Sequence, residues 1–278
     1  MATKTITVGH SPDPDDAFMF YALTHGKIDT GDLVFQEVVE DIESLNHRAV
    51  GGQLDVTALS VHAFGYVTDK YAMMSCGGSF GDAVGPIVVA ARPMEVGELA
   101  DVRIAVPGTM TSAYLLLKLL LMNFRFEVVR FDKIMDAVKT GDVDAGLLIH
   151  EGQIRYQEMG LHRVVDLGQW WHADTSLPVP LGVNGVRRDL GQELSSRLVD
   201  LLRQSIRYAQ EHRTEAVEHA RQYGRGMDAA MTDRFVGMYV NPWTLQMGDK
   251  GREAVLRLLT RGYHAALLPR PSGLEVID

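Results

Sequence analysis

The chain has 278 residues, 46% hydrophobic and 23% charged, enough for one large core or two modest ones, since domains usually run to about 100–200 residues. A formal net charge of -9 offers phosphate backbones and anionic lipid no general attraction, which argues against nucleic-acid and membrane-surface partners. The single cysteine, Cys76, excludes an internal disulfide and a multi-cysteine metal site within one chain, and it reads as a small buried hydrophobe.

Taken in order, MATKTITVGH has no basic leader region and no long apolar run, so it predicts a first strand and a cytoplasmic protein. SPDPDDAFMFYAL follows, with Asp13 placed to cap a helix, Pro14 as its first residue and Asp16 as its third, where carboxylates meet free N–H groups. Helix initiation accounts for most of that negative charge. The loop also leaves the end of a strand, where open α/β sheets bind ligands, so Ser11 and Asp16 are candidates to line a cleft. A metal site is the weakest reading, because no further carboxylate or histidine stands at ligand spacing.

LDVTALS is the next clear strand, and Ser60 at its end is placed either to cap the following helix or to face the same crevice. GGSFG at 77–81 fits the G-x-S-x-G pattern, but DAVGPIVVAA after it reads as loop and strand where a nucleophile elbow needs a helix. No phosphate-binding loop or zincin motif occurs. RIAVPGTMTSAYLLLKLLL gives a strand, a Pro-Gly turn, then Thr109, Thr111 and Ser112 before an apolar helix. Free N–H groups at Ser112 and Ala113 suit a carboxylate or hydroxyl oxygen. Lys118 interrupts the apolar run well short of the roughly 20 residues that span a bilayer, so no membrane segment is expected.

DAGLLIH ends a further strand at His150. A lone histidine is more often structural, yet imidazole titrates near neutral pH and this one sits at a strand end, which makes it the best general-base candidate, ahead of His10, His62 and His172. Trp170 and Trp171 suit either stacking on an aromatic ligand or packing at a junction. Beyond Arg188 the apolar spacing turns helical in LSSRLVDLLRQSIRYAQEH and REAVLRLLTRGYHAAL.

Alternating strands and helices predict an α/β fold. SLNHRAVGGQLDVTALS and KIMDAVKTGDVDAGLLIH echo each other as helix, Gly with an acidic residue, and strand, which points to two related lobes. PIVVAA (86–91) and LPVPLGVNGV (177–186) are the expected crossings. The expected division is a larger lobe of residues 1–88 and 185–278, with 89–184 forming a smaller inserted lobe.

SPDPDDAFMFYAL, DVTALSVHAF, GGSFGDAVGPIVVA, VPGTMTSAYLLL, AGLLIHEGQIRYQ, VVDLGQWW and LPVPLGVNGVRRDL occur in an order that resembles the 1,4-dihydroxy-6-naphthoate synthase family of the futalosine route to menaquinone, over nearly the whole chain. The resemblance implies a periplasmic-binding-protein-like (type II) fold, two α/β lobes around a ligand cleft. It also implies a carbon–carbon lyase that converts cyclic dehypoxanthine futalosine, a small acidic substrate, to the naphthoate and dihydroxyacetone. His150 falls at the family's proton acceptor, while Ala58, Leu59 and Ser60, and Ser112 with Ala113, match its substrate-contacting segments. No cofactor or metal is required. The chain departs from the SPCPNDTF often seen in the family by having Asp13, Asp15 and Ala17 in place of Cys, Asn and Thr. Ala58 stands where Lys occurs, and Ser112 where Thr is common. The alternatives are a non-catalytic solute-binding protein of the same fold, the sister chorismate dehydratase, and the effector lobe of a regulator that would need an added DNA-binding segment. Oligomeric state is not legible.

Overall fold

A computed structural model describes residues 3–270 and 274–278 as two β-sheets flanked by helices. The strands are β1 (Lys4–His10), β2 (Leu33–Val39), β3 (Val56–Ser60), β4 (Tyr71–Met74), β5 (Ser79–Gly81), β6 (Ile87–Ala90), β7 (Arg103–Val106), β8 (Arg125–Val128), β9 (Ala145–Leu148), β10 (His162–Asp166), β11 (Val179–Arg187) and β12 (Val276–Ile277). The helices are α1 (Pro14–Thr24), α2 (Ile42–Val50), α3 (Val61–Phe64), α4 (Ser112–Leu121), α5 (Ile134–Thr140), α6 (Gly152–Arg155), α7 (Leu167–Thr175), α8 (Gln192–Glu211), α9 (Arg213–Arg221), α10 (Ala229–Tyr239), α11 (Pro242–Leu245) and α12 (Gly248–His264).

The first sheet runs β12-β4-β11-β3-β1-β2, with β5 beside β11, and the second runs β10-β6-β9-β7-β8. Their centres share one plan. β1 lies parallel between β2 and β3, with β11 antiparallel on the far side of β3. β7 lies parallel between β8 and β9, with β6 antiparallel on the far side of β9. The sequence echo therefore corresponds to α2–β3 and α5–β9, equivalent units of the two sheets.

All of β6 belongs to the second sheet and all of β11 to the first, so boundaries at 88/89 and 184/185 would each cut a strand. Both runs are apolar strands, which is why composition alone does not mark the crossing. A division drawn between strands falls within 82–86 and 167–178. There the two connections run against each other: Leu167 N–H donates to the Pro86 carbonyl at 2.9 Å, and Ile87 is the cross-strand partner of Asp166. A Cβ on Gly85 would lie 2.8 Å from the Gly168 backbone, and one on Gly168 would lie 2.2 Å from the Val84 carbonyl, so backbone meets backbone there.

Helix α1 is buried from Pro14 to Leu23 because α8 and α9 cover the side away from the sheet. That explains an apolar sequence with no polar face. Asp13 caps it, its side chain accepting from Asp16 N–H at 3.1 Å, with Pro14 at the first turn. Cys76 is fully buried, and burial pushes its thiol up to about 12. Trp171 is also fully buried and donates through Nε1 to the Pro178 carbonyl at 3.1 Å, a packing role. Among the described residues no helix is long and apolar enough to cross a membrane.

Candidate functional site

A cavity opens between the two sheets. Its walls are strand ends and helix starts. From the first sheet come Ser11, Asp13, Asp15 and Asp16 after β1, Ala58–Ser60 at the end of β3, Gly77 and Ser79 by β5, and Leu181–Asn184 of β11. From the second come Thr111–Ala113 at the start of α4, then Ile149, His150 and Gln153 after β9. Ile42, Pro86 and, from α10, Phe235 and Tyr239 complete the lining.

His150 occupies the turn between β9 and α6 with φ 53°, a left-handed conformation that costs a residue with a Cβ about 1–2 kcal/mol. Its Nδ1 lies 2.7 Å from Asp13 Oδ2. Burial opposes charge on the imidazole, but the Asp13 carboxylate, its hydrogen bond and nearby Glu151 outweigh burial and raise the His150 pKa above its ordinary value. Burial likewise opposes ionisation of Asp13, yet His150 and the Ser11 hydroxyl hold it below the usual carboxylate range. With Nδ1 occupied, Nε2 is the nitrogen left for a ligand.

Behind this pair, buried Glu151 accepts from Arg225 at 2.9 Å, and Arg225 also donates to the Pro12 carbonyl at 2.5 Å. The Arg225 guanidinium lies 4.5 Å from the Phe131 ring centroid, and Phe131 meets His150 edge to face at 4.9 Å. The imidazole is thus braced on two sides.

The other acids respond differently to the same burial. Asp16 Oδ2 accepts from Ser11 N–H at 2.8 Å and lies 3.0 Å from Ser11 Oγ, but burial and the Asp13 charge push it up to about 6. Burial and its negative neighbours raise Asp15 well above the carboxylate range. Asp15 Oδ2 accepts from Ser79 at 3.0 Å, and Oδ1 has no partner. Oxygens of the three aspartates lie within 4.8 Å of one another, close enough to consider a cation. Much of that oxygen set is already engaged by Ser11, His150, Ser79 and backbone N–H, so the arrangement fits an internal proton and hydrogen-bond network.

Ser60, also in the lining, begins α3 but makes no side-chain cap. Its hydroxyl accepts from Asn46 at 3.1 Å, and its N–H donates to the same amide at 2.9 Å. The Ser112 hydroxyl donates to the Leu181 carbonyl at 2.6 Å. Glu43, from α2, accepts from the N–H groups of Thr109 (2.8 Å) and Met110 (3.1 Å), joining the first lobe to the turn before α4.

The structure brings Ser11, Asp16, Ala58, Leu59, Ser60, Ser112, Ala113 and His150 to one cavity. The competing histidines are elsewhere. His10 pairs with Glu37 at 2.9 Å, and burial lowers His62 to about 4 behind the Thr111 carbonyl. His172 does not line the cavity. Sequence reasoning missed Asn184, Gln153, Phe235 and Tyr239. Asn184 had a signal, an amide inside an otherwise apolar strand, whereas Phe235 and Tyr239 one helical turn apart read as ordinary core.

A protein-family model described as menaquinone biosynthesis matches residues 6–264. Two proteins named 1,4-dihydroxy-6-naphthoate synthase are similar over almost their full length. The one from Thermus thermophilus is 42% identical over 96% of this chain and 98% of its own, and the one from Streptomyces coelicolor is 37% identical over 97% and 96%. A solved structure from Archaeoglobus fulgidus superposes with TM-score 0.92 at 46% identity, covering 95% of this chain and 98% of that one. The alkanesulfonate-binding protein SsuA of Xanthomonas axonopodis superposes with TM-score 0.75 at 12% identity, covering 99% and 97%. A Candida albicans protein described as having the generic periplasmic binding protein fold gives 0.72 at 15%, covering 97% and 92%. At those identities the likeness is one of fold, and the fold is that of the periplasmic binding proteins.

Proposed function

The chain belongs to the 1,4-dihydroxy-6-naphthoate synthase family of menaquinone biosynthesis, and from that premise we propose that it cleaves cyclic dehypoxanthine futalosine to 1,4-dihydroxy-6-naphthoate and dihydroxyacetone, with His150 as general base. The observation that carries the proposal is the pairing of His150 Nδ1 with Asp13 at the wall of a cavity shared by both lobes. Asp13 fixes the ring and makes Nε2 the more basic nitrogen, as a base that must take a proton near neutral pH requires.

In this scheme the lobes enclose the substrate and exclude water, so hydrogen bonds to it act in a low-dielectric space. Ala58–Ser60 and the N–H groups of Ser112 and Ala113 hold its oxygens at the first turn of α4. His150 Nε2 accepts an acidic proton from the substrate, a carbon–carbon bond breaks, and formation of the aromatic naphthalenoid ring favours the products.

The test is to incubate the purified protein with cyclic dehypoxanthine futalosine and follow the naphthoate by mass spectrometry. Turnover that is lost in His150→Ala supports the proposal. Unchanged turnover in that variant removes the base assignment. Tight binding with no turnover by the unaltered protein would instead favour a solute-binding role.

A further inference from the structure

Two side-chain oxygens of residues that line the cavity lack any hydrogen-bond partner although their residues are almost wholly buried. Asn184 is 1% exposed and Asp15 is 6% exposed, and Oδ1 of each is unpaired. Both residues line the cavity. Asn184 cannot rotate its amide to help itself, because Nδ2 donates to the Gly77 carbonyl at 2.7 Å. Its oxygen is therefore locked as an acceptor. Asp15 is held by Ser79, which lies opposite Gly182 in the β5–β11 pairing, two residues along the strand from Asn184. The two orphan atoms thus belong to one corner.

Buried polar atoms left unpaired in a native structure are rare and costly, so their clustering at a cavity wall identifies what the cavity takes. An anionic group would bring only acceptors, against a locked amide oxygen and the ionised Asp13 close by. A hydroxyl supplies a donor to Asn184, and it can donate to or accept from the Asp15 carboxyl in either protonation state.

We propose that Asn184 and Asp15 form a hydroxyl-recognising subsite, against which the hydroxylated part of the ligand sits. This rests on the function proposed above, under which the hydroxylated end is the part that leaves as dihydroxyacetone.

The experiment has two arms. In the first, saturation-transfer NMR measures binding of dihydroxyacetone, hydroxyacetone and acetone to the unaltered protein and to Asn184→Leu. The unaltered protein is expected to prefer dihydroxyacetone over acetone by about tenfold, and Asn184→Leu to lose the preference. Equal binding of the three by the unaltered protein overturns the subsite, and that comparison does not depend on the variant folding. In the second arm, KM for cyclic dehypoxanthine futalosine is expected to rise about tenfold or more in Asn184→Leu. An unchanged KM in a folded variant also overturns it. Absence of turnover by the unaltered protein, with the dihydroxyacetone preference intact, would sink the proposed reaction and leave the subsite standing.

Discussion

His150 Nδ1 and Asp13 Oδ2 are 2.7 Å apart at the wall of the cavity. A negative partner makes protonated imidazole more stable, so the ring must lose that proton before it can act as a base. The expected kcat/KM profile climbs with pH through a midpoint above the ordinary histidine value of 6.5. A flat profile between pH 5 and 8 would exclude His150 as the base.

Asp13→Asn keeps an oxygen near Nδ1 but removes the charge. The acid limb of the profile is expected to move toward acid, with kcat falling on the order of tenfold or more. Loss of activity without movement of the limb would assign Asp13 a purely structural role.

Much of this site was legible in the sequence, for a physical reason. In parallel α/β units the chain leaves each strand at the same edge, so Ser11, Ser60, Ser112 and His150, each just beyond an apolar run or at the start of the next helix, converge. What stayed hidden was long-range. Glu43 reaches Thr109 and Met110 across 66 and 67 residues, and Arg225 reaches Pro12 across 213. No local pattern announces such contacts. The hydroxyl of Ser60 shows the same limit: its position suggested a helix cap, and tertiary packing gave it Asn46 instead.

The buried acids bear on stability as well. The folded state holds Asp16 protonated up to about pH 6, whereas the unfolded chain releases that proton near 3.8. Its contribution therefore turns unfavourable as pH rises from about 4 to about 6, by roughly 3 kcal/mol in total, and Asp15 adds to this in the same direction. Asp16→Asn is expected to raise the melting temperature at pH 7 by several degrees, roughly 2–4 °C per kcal/mol, and to have less effect at pH 4. Scanning calorimetry at the two pH values decides it.

Glu43 binds the turn before α4 through two N–H groups, a charge-assisted contact that exists only when the lobes are together. Glu43→Ala is expected to reduce the closed population by about tenfold or more, given roughly 1.5–3 kcal/mol for hydrogen bonds to a charged group. Small-angle X-ray scattering would show a larger radius of gyration without ligand, and KM would rise more than kcat falls. An unchanged radius would show that other contacts hold the lobes.

The close pairing of Pro86 with Leu167, and of Gly85 with Gly168, also limits how the cavity can work. Two tethers lying side by side behave as a single axle. Tilting of the second lobe about that line is the expected motion, in preference to sliding along the first, and structures with and without ligand would check it. Under the proposed function, substrate entry and product exit would then share one aperture, and the placing of His150 across the cavity would be set by the two tethers.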